Sequence, residues 1–170
     1  MKKTTLLVAG LLAFNVGAAA AAPLSDLNTH QTAIGFSMHN TDPDSDTLYI
    51  EHKLSPKFTL GLQTTDWDYG RDVDDIYGQL HLTDNLRAIA GVRDFGPTSK
   101  VFVGVGVSGP LSAQWTGFAS FNTSSEHKEL QVGATYAVSH NVDLTLSYLS
   151  YKPDGSSSRN GLGLGAAFKF

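Results

Sequence analysis

The chain has 170 residues, 41 % of them hydrophobic, with a formal net charge of −4 and no cysteine. That length suits one domain, the mild acidity argues against a nucleic-acid partner, and the absent cysteines exclude disulfides and lipid attachment at a cysteine. Seventeen glycines and six prolines lean towards an all-β fold.

The amino terminus reads as a secretory signal. Lys2 and Lys3 supply the positive start, Leu6 to Phe14 a short apolar core, and Ala18 to Ala22 the small residues that cleavage needs. Pro23 disfavours cut positions next to it, so the mature chain is expected to begin at Ala21 or Ala22. Residues 1–21 are taken as the signal and 22–170 as the barrel domain.

From Thr29 onwards the pattern has a period of two. Thr32, Ile34, Phe36 and Met38 share a face opposite Ala33, Gly35 and Ser37. Leu48, Ile50 and Leu54 oppose Tyr49, Glu51 and Lys53; Phe58, Leu60 and Leu62 oppose Thr59, Gly61 and Gln63. The same alternation runs through 75–82, 86–93, 101–108, 112–121, 130–138, 142–148 and 161–170. Ten strands of about eight to twelve residues follow, close to the length that crosses a bilayer at a tilt. Eight is the alternative. One face is apolar throughout, whereas the other is Gly, Ser, Thr, Gln and charge, a poor core. Such a sheet is stable when it closes with the polar side inward and the apolar side meets lipid. A lipocalin requires the reverse. The expectation is therefore a closed antiparallel transmembrane β-barrel.

Four connections read as tight: 55–57, 83–85, 109–111 and 139–141. They alternate with five looser polar ones near 41–46, 67–74, 96–99, 122–128 and 152–158. Short turns at one end and longer loops at the other mark bacterial outer-membrane barrels, and with the turns in the periplasm both termini lie there too. Aromatic residues fall near both interfaces: Phe58, Trp115, Tyr136, Phe168 and Phe170 at the turn end; Trp67, Tyr69, Phe121, Tyr148 and Tyr151 at the loop end.

The last residues, Gly165-Ala166-Ala167-Phe168-Lys169-Phe170, resemble the carboxy-terminal assembly signal of outer-membrane barrels, with Gly163 where a polar residue is usual. The resemblance implies recognition by the barrel-assembly machinery. In layout the whole mature chain resembles the YfaZ-type and the OmpA/OmpX-like small barrels, which implies a monomer in the bacterial outer membrane among lipid and lipopolysaccharide, reached by export through the inner membrane, without a cofactor.

A three-residue turn at Thr83-Asp84-Asn85 sets Leu82 against Leu86, and hence Asp75 opposite Arg93 and His81 opposite Arg87, all inward. By the same parity Glu51, Asp75, Glu129 and Asp143 face the lumen with Lys53, Arg87, Arg93 and Lys169. Four charges of each sign in a narrow barrel favour pairing and a filled interior, giving a structural or narrow-pore role. Ile89, Phe102 and Leu149 fall on the inward parity as well.

Catalytic readings find less support. Asp66-Trp67-Asp68 resembles half of the omptin protease pattern, but no Asp-x-His accompanies it. The lipid-hydrolase barrels need a serine–histidine pair on the lipid side, and His52 has no serine partner in the pattern. A surface-binding barrel is the third possibility, and the short loops argue against it. Asp42, Asp44 and Asp46 are the only candidate metal ligands. No calcium loop is completed around them, because Thr47 stands at the central glycine position and Lys53 at the final glutamate. A solvated acidic rim is expected there.

Overall fold

The computed structural model describes residues 24–68 and 72–170. The expected signal segment and Tyr69 lie outside them. Ten strands form: β1 Thr32–Asn40, β2 Ser45–Ser55, β3 Phe58–Trp67, β4 Val73–His81, β5 Leu86–Asp94, β6 Ser99–Pro110, β7 Trp115–Thr123, β8 His127–Ala137, β9 Val142–Pro153 and β10 Arg159–Lys169. Each pairs antiparallel with its neighbours in sequence, and β1 pairs with β10, so the sheet closes into a ten-stranded barrel. The terminal rung of that seam joins Thr32 and Phe170 through two backbone hydrogen bonds of 2.8 and 2.9 Å. Closure leaves no strand edge unpaired, as a membrane-spanning sheet requires.

Burial is inverted relative to a water-soluble protein. Val101 and Leu164 are 68 % and 69 % exposed, whereas Glu51, Gln79 and Glu129 are fully buried. The outward row on every strand is predominantly Val, Leu, Ile, Phe and Ala, and the buried interior is mostly polar. Strands of nine to twelve residues match a tilted crossing of a hydrocarbon layer.

Register at the β4–β5 hairpin sets Asp75 against Arg93 and His81 against Arg87. At β6–β7 the structure corrects the expected turn. Gly109 and Pro110 stay in the ladder opposite Gly117 and Thr116, and the chain reverses over 111–114. Ser112 holds that reversal, its Oγ accepting from the backbone N–H of Gln114 and Trp115 at 3.4 and 3.2 Å. Pro110 is tolerated because its nitrogen lies on the β5 side, beyond the last β5–β6 pair, Leu86 and Val107, so no rung is lost.

Two further expectations change. The strands run longer than the periodicity indicated, leaving connections of three to five residues at the loop end against two to four at the turn end. Length therefore distinguishes the two ends only weakly. Trp67 and Tyr151 do not join an outer aromatic belt, since both occupy inward parity and are 5 % exposed inside the mouth. Phe58, Trp115, Phe168 and Phe170 do face outward at the turn end, and Phe168 and Phe170 stack at 6.0 Å.

The residues before β1 carry no period, yet they are structured. Leu24 to Leu27 enter the lumen from the turn end as a short strap. Leu24 packs on Tyr77, Ile89 and Phe102. Its socket exists because residue 106 is glycine: a Cβ there would sit 2.8 Å from the Leu24 side chain.

Candidate functional site

The inward faces build a layered interior. Nearest the loop end, Arg93 on β5 forks onto Asp75 on β4, donating from Nε to Oδ1 at 2.7 Å and from Nη2 to Oδ2 at 2.6 Å. Its Nη1 is ion-paired across the lumen with Glu129 on β8. One guanidinium thus serves two carboxylates, with all three side chains at most 2 % exposed. Asn122 donates its amide to Glu129, and the Phe102 and Tyr151 rings flank the guanidinium at 5.7 and 6.0 Å. Phe102 and Leu149 are buried as well, and Ile89, opposite Gln79, is buried one layer further down, so side chains fill the barrel here as a septum.

Below it, on the β2–β5 side, Glu51 accepts from the Tyr77 hydroxyl at 3.2 Å and the Gln79 amide at 2.5 Å. Tyr77 reaches this position by crossing Gly61, where a Cβ would meet its ring at 2.2 Å. The strap completes the layer. The Ser25 backbone N–H donates to Glu51 at 3.1 Å, and its carbonyl accepts from Arg87 at 3.0 Å. Arg87 also donates to Gln79, while Lys53 donates to the Leu27 carbonyl at 2.8 Å. Arg87 is therefore linked to Glu51 through Gln79 and the strap, and His81 turns to Thr59 at 3.0 Å.

The opposite side of the turn end is emptier. Lys169 pairs with Asp143 at 2.9 Å, and a cavity of about 220 Å³ opens between Thr116, Phe118, Gln131, Thr145 and the strap. Higher up, His39 on β1 reaches over Gly163 to hydrogen-bond Ser147 on β9 at 3.0 Å. Gln131 donates to the same hydroxyl at 3.3 Å. This serine–histidine pair was not visible in the pattern, because it skips a strand. Its Nδ1 has no hydrogen-bond partner, so the third, orienting member of a catalytic set is missing. His52 faces outward and bonds the hydroxyl of Thr32, not a serine, at 2.8 Å.

Of the eight predicted lumen charges, the structure brings Arg93, Asp75 and Glu129 into one cluster. It joins Asp143 to Lys169, and places Glu51, Arg87 and Lys53 around the strap. Gly165 faces the lumen, while Phe168 and Phe170 face outward. Asp42 and Asp44 lie on the β1–β2 connection, and Asp46 stands opposite Asp66 on β3. Among the described residues no three His, Asp or Glu side chains converge on a metal position. Asp66 and Asp72 crowd close enough to share a hydrogen bond, which with the charge of Asp66 pushes the Asp72 carboxyl above its usual range.

The strap offers a direct test. Gly106→Leu fills the socket of Leu24 and should displace the segment. In a Leu27→Cys background, the only thiol in the chain, labelling by a water-soluble maleimide is expected to accelerate roughly tenfold. Unchanged labelling would show that the strap is held without that socket.

No protein-family model matches the chain, and no curated protein does. Among solved structures, the KdgM porin is 12 % identical, with 81 % of this chain and 99 % of that chain covered at a TM-score of 0.53. The NanC porin is 7 % identical over 82 % and 100 % of the two chains, also at 0.53. A de novo designed transmembrane β-barrel reaches 0.50 at 14 % identity, over 86 % and 100 %. This chain has the fold of a transmembrane β-barrel. At these identities the likeness concerns architecture alone. The lipid-ready exterior and the contents of the lumen are read from this chain's own residues.

Proposed function

We propose that this protein is an integral β-barrel of the bacterial outer membrane with a structural or narrow-pore role, its lumen closed by paired charges rather than open as a channel. On this reading residues 1–21 direct export and are removed, and Gly165, Phe168 and Phe170 form the signal read by the barrel-assembly machinery. The folded monomer then sits among outer-membrane lipid and lipopolysaccharide. One observation carries the proposal of a closed lumen: the buried Arg93–Asp75–Glu129 septum, backed from below by the strap on Glu51 and Arg87. The two similar barrels named porins support a membrane role, and the septum argues against wide permeation here. Enzymatic readings draw less support, since the His39–Ser147 pair lacks an acid and no Asp-x-His accompanies Asp66-Trp67-Asp68.

The experiment is to refold the mature chain in detergent and transfer it to planar bilayers. Membrane insertion with no steps, or only very small ones, is the expected result. Large, stable steps would overturn the closed lumen, and a chain soluble and monomeric without detergent would overturn the membrane role itself.

A further inference from the structure

The loop-end mouth holds a second concavity, of about 360 Å³, lying above the septum. Its floor is apolar: Trp67, Val73 and Tyr151 form a buried cluster with Phe95 packed against it. Trp67 and Tyr151 lie 5.0 Å apart, tilted by 36°. These rings face the barrel axis, so contact with lipid does not explain them. They form an aromatic surface at the water-facing end of a membrane protein. Mouths of β-barrels are a usual place for small-ligand pockets, which combine an apolar floor with a few polar groups.

The charge is one-sided along the β1–β4 side of the mouth, whereas the β6–β10 side mixes Lys100, Lys128, Lys152 and Arg159 with Glu126 and Asp154. Residues 41–46 and 66–74 contain seven aspartates against one basic residue, Arg71. Within this rim the hydrogen bond and charge of Asp66, with a smaller contribution from Asp74, hold the Asp72 carboxyl above its usual range. Glu126 and Asp154 line the bowl itself, Glu126 in an exposed bridge of 2.9 Å to Lys100. Among the described residues, the one cation lining the bowl is Arg159, whose guanidinium sits 4.8 Å above the Trp67 ring. The chain thus already places a cation on its aromatic floor, where ring quadrupole and rim carboxylates both favour one.

We infer that this mouth is a binding site for small organic cations that carry an aromatic or aliphatic body, the body resting on Trp67 and Tyr151 and the charge facing Glu126 and Asp154, in the position Arg159 otherwise covers. An anion meets the acidic rim, and a neutral sugar gains nothing from it. The site does not depend on whether the septum conducts.

The chain has two tryptophans, and Trp115 is at the turn end facing outward, so Trp115→Phe leaves Trp67 as the sole reporter in the bowl. The refolded barrel in a non-ionic alkyl maltoside detergent is titrated with benzyltrimethylammonium, with benzenesulfonate as the anionic counterpart. A saturable change in Trp67 emission with the ammonium alone is expected. Glu126→Gln with Asp154→Asn should weaken it roughly tenfold, and Arg159→Gln should tighten it several-fold by vacating the ring. Glu126 and Asp154 lie in loop-end connections and Arg159 opens β10 at the same end, and heat-modifiable gel mobility checks that each variant still folds. Absence of response in the folded barrel, equal response to the sulfonate, or a midpoint unmoved by the acidic double variant would overturn the inference.

Discussion

Replacing Arg93 with methionine will destabilise the barrel by about 3–5 kcal/mol, the usual consequence of removing one partner from a buried ionic cluster. The size follows from what remains. Asp75 and Glu129 would be left as two carboxylates at no more than 2 % exposure, without the guanidinium that now bonds both. Urea unfolding of the protein in lipid vesicles measures the loss. Two companion variants make the cause identifiable. Arg93→Lys keeps the charge but not the planar fork, and should recover only part of the stability. Adding Asp75→Asn and Glu129→Gln to the methionine variant removes the stranded charge and should recover more. If Arg93→Met costs less than about 1 kcal/mol, the cluster is not a structural element of the lumen.

Leu62→Arg separates a lipid-facing exterior from a wet one. Leu62 lies midway along β3, opposite Ile50 and Ile76, and is 49 % exposed. On a water-soluble protein, an arginine at so exposed a position would change stability by no more than about 0.5 kcal/mol. Facing hydrocarbon near the midplane, it costs roughly 2–4 kcal/mol. The same unfolding assay, with heat-modifiable gel mobility to score the folded fraction, distinguishes the two. Near-neutral behaviour would remove the membrane assignment.

The parts of this structure legible in the sequence are those set by neighbours along or across one hairpin. Alternation on β2, with Leu48 and Ile50 against Tyr49 and Glu51, fixes a sidedness that one slipped residue would reverse. The short turn after Leu82 likewise fixes Asp75 against Arg93. What the pattern did not reveal depends on closure. Arg93 meets Glu129, three strands away, and His39 meets Ser147 across β10, only once strand tilt and stagger bring those levels together, and alternation carries no information about either. The strap was missed for a different reason: four residues without regular structure produce no period, and their hydrogen bonds to Glu51, Lys53 and Arg87 are made by backbone groups. Gly109-Pro110 misled because both residues usually signal a turn, although a proline costs nothing on a rung that has already ended. Trp67 and Tyr151 were placed by composition at an interface when parity, applied strictly, turns them inward.

Leu24 to Leu27 also make the cylinder mechanically uneven. They tie β2, β4, β5 and β6 to one another from within, adding crosswise struts to a wall whose backbone bonds run only between adjacent staves. Around the opposite arc, the Asp143–Lys169 and Thr135–Thr145 contacts join immediate neighbours beside an open chamber. Lateral pressure from the bilayer should therefore flatten that arc first, while the braced arc keeps its curvature.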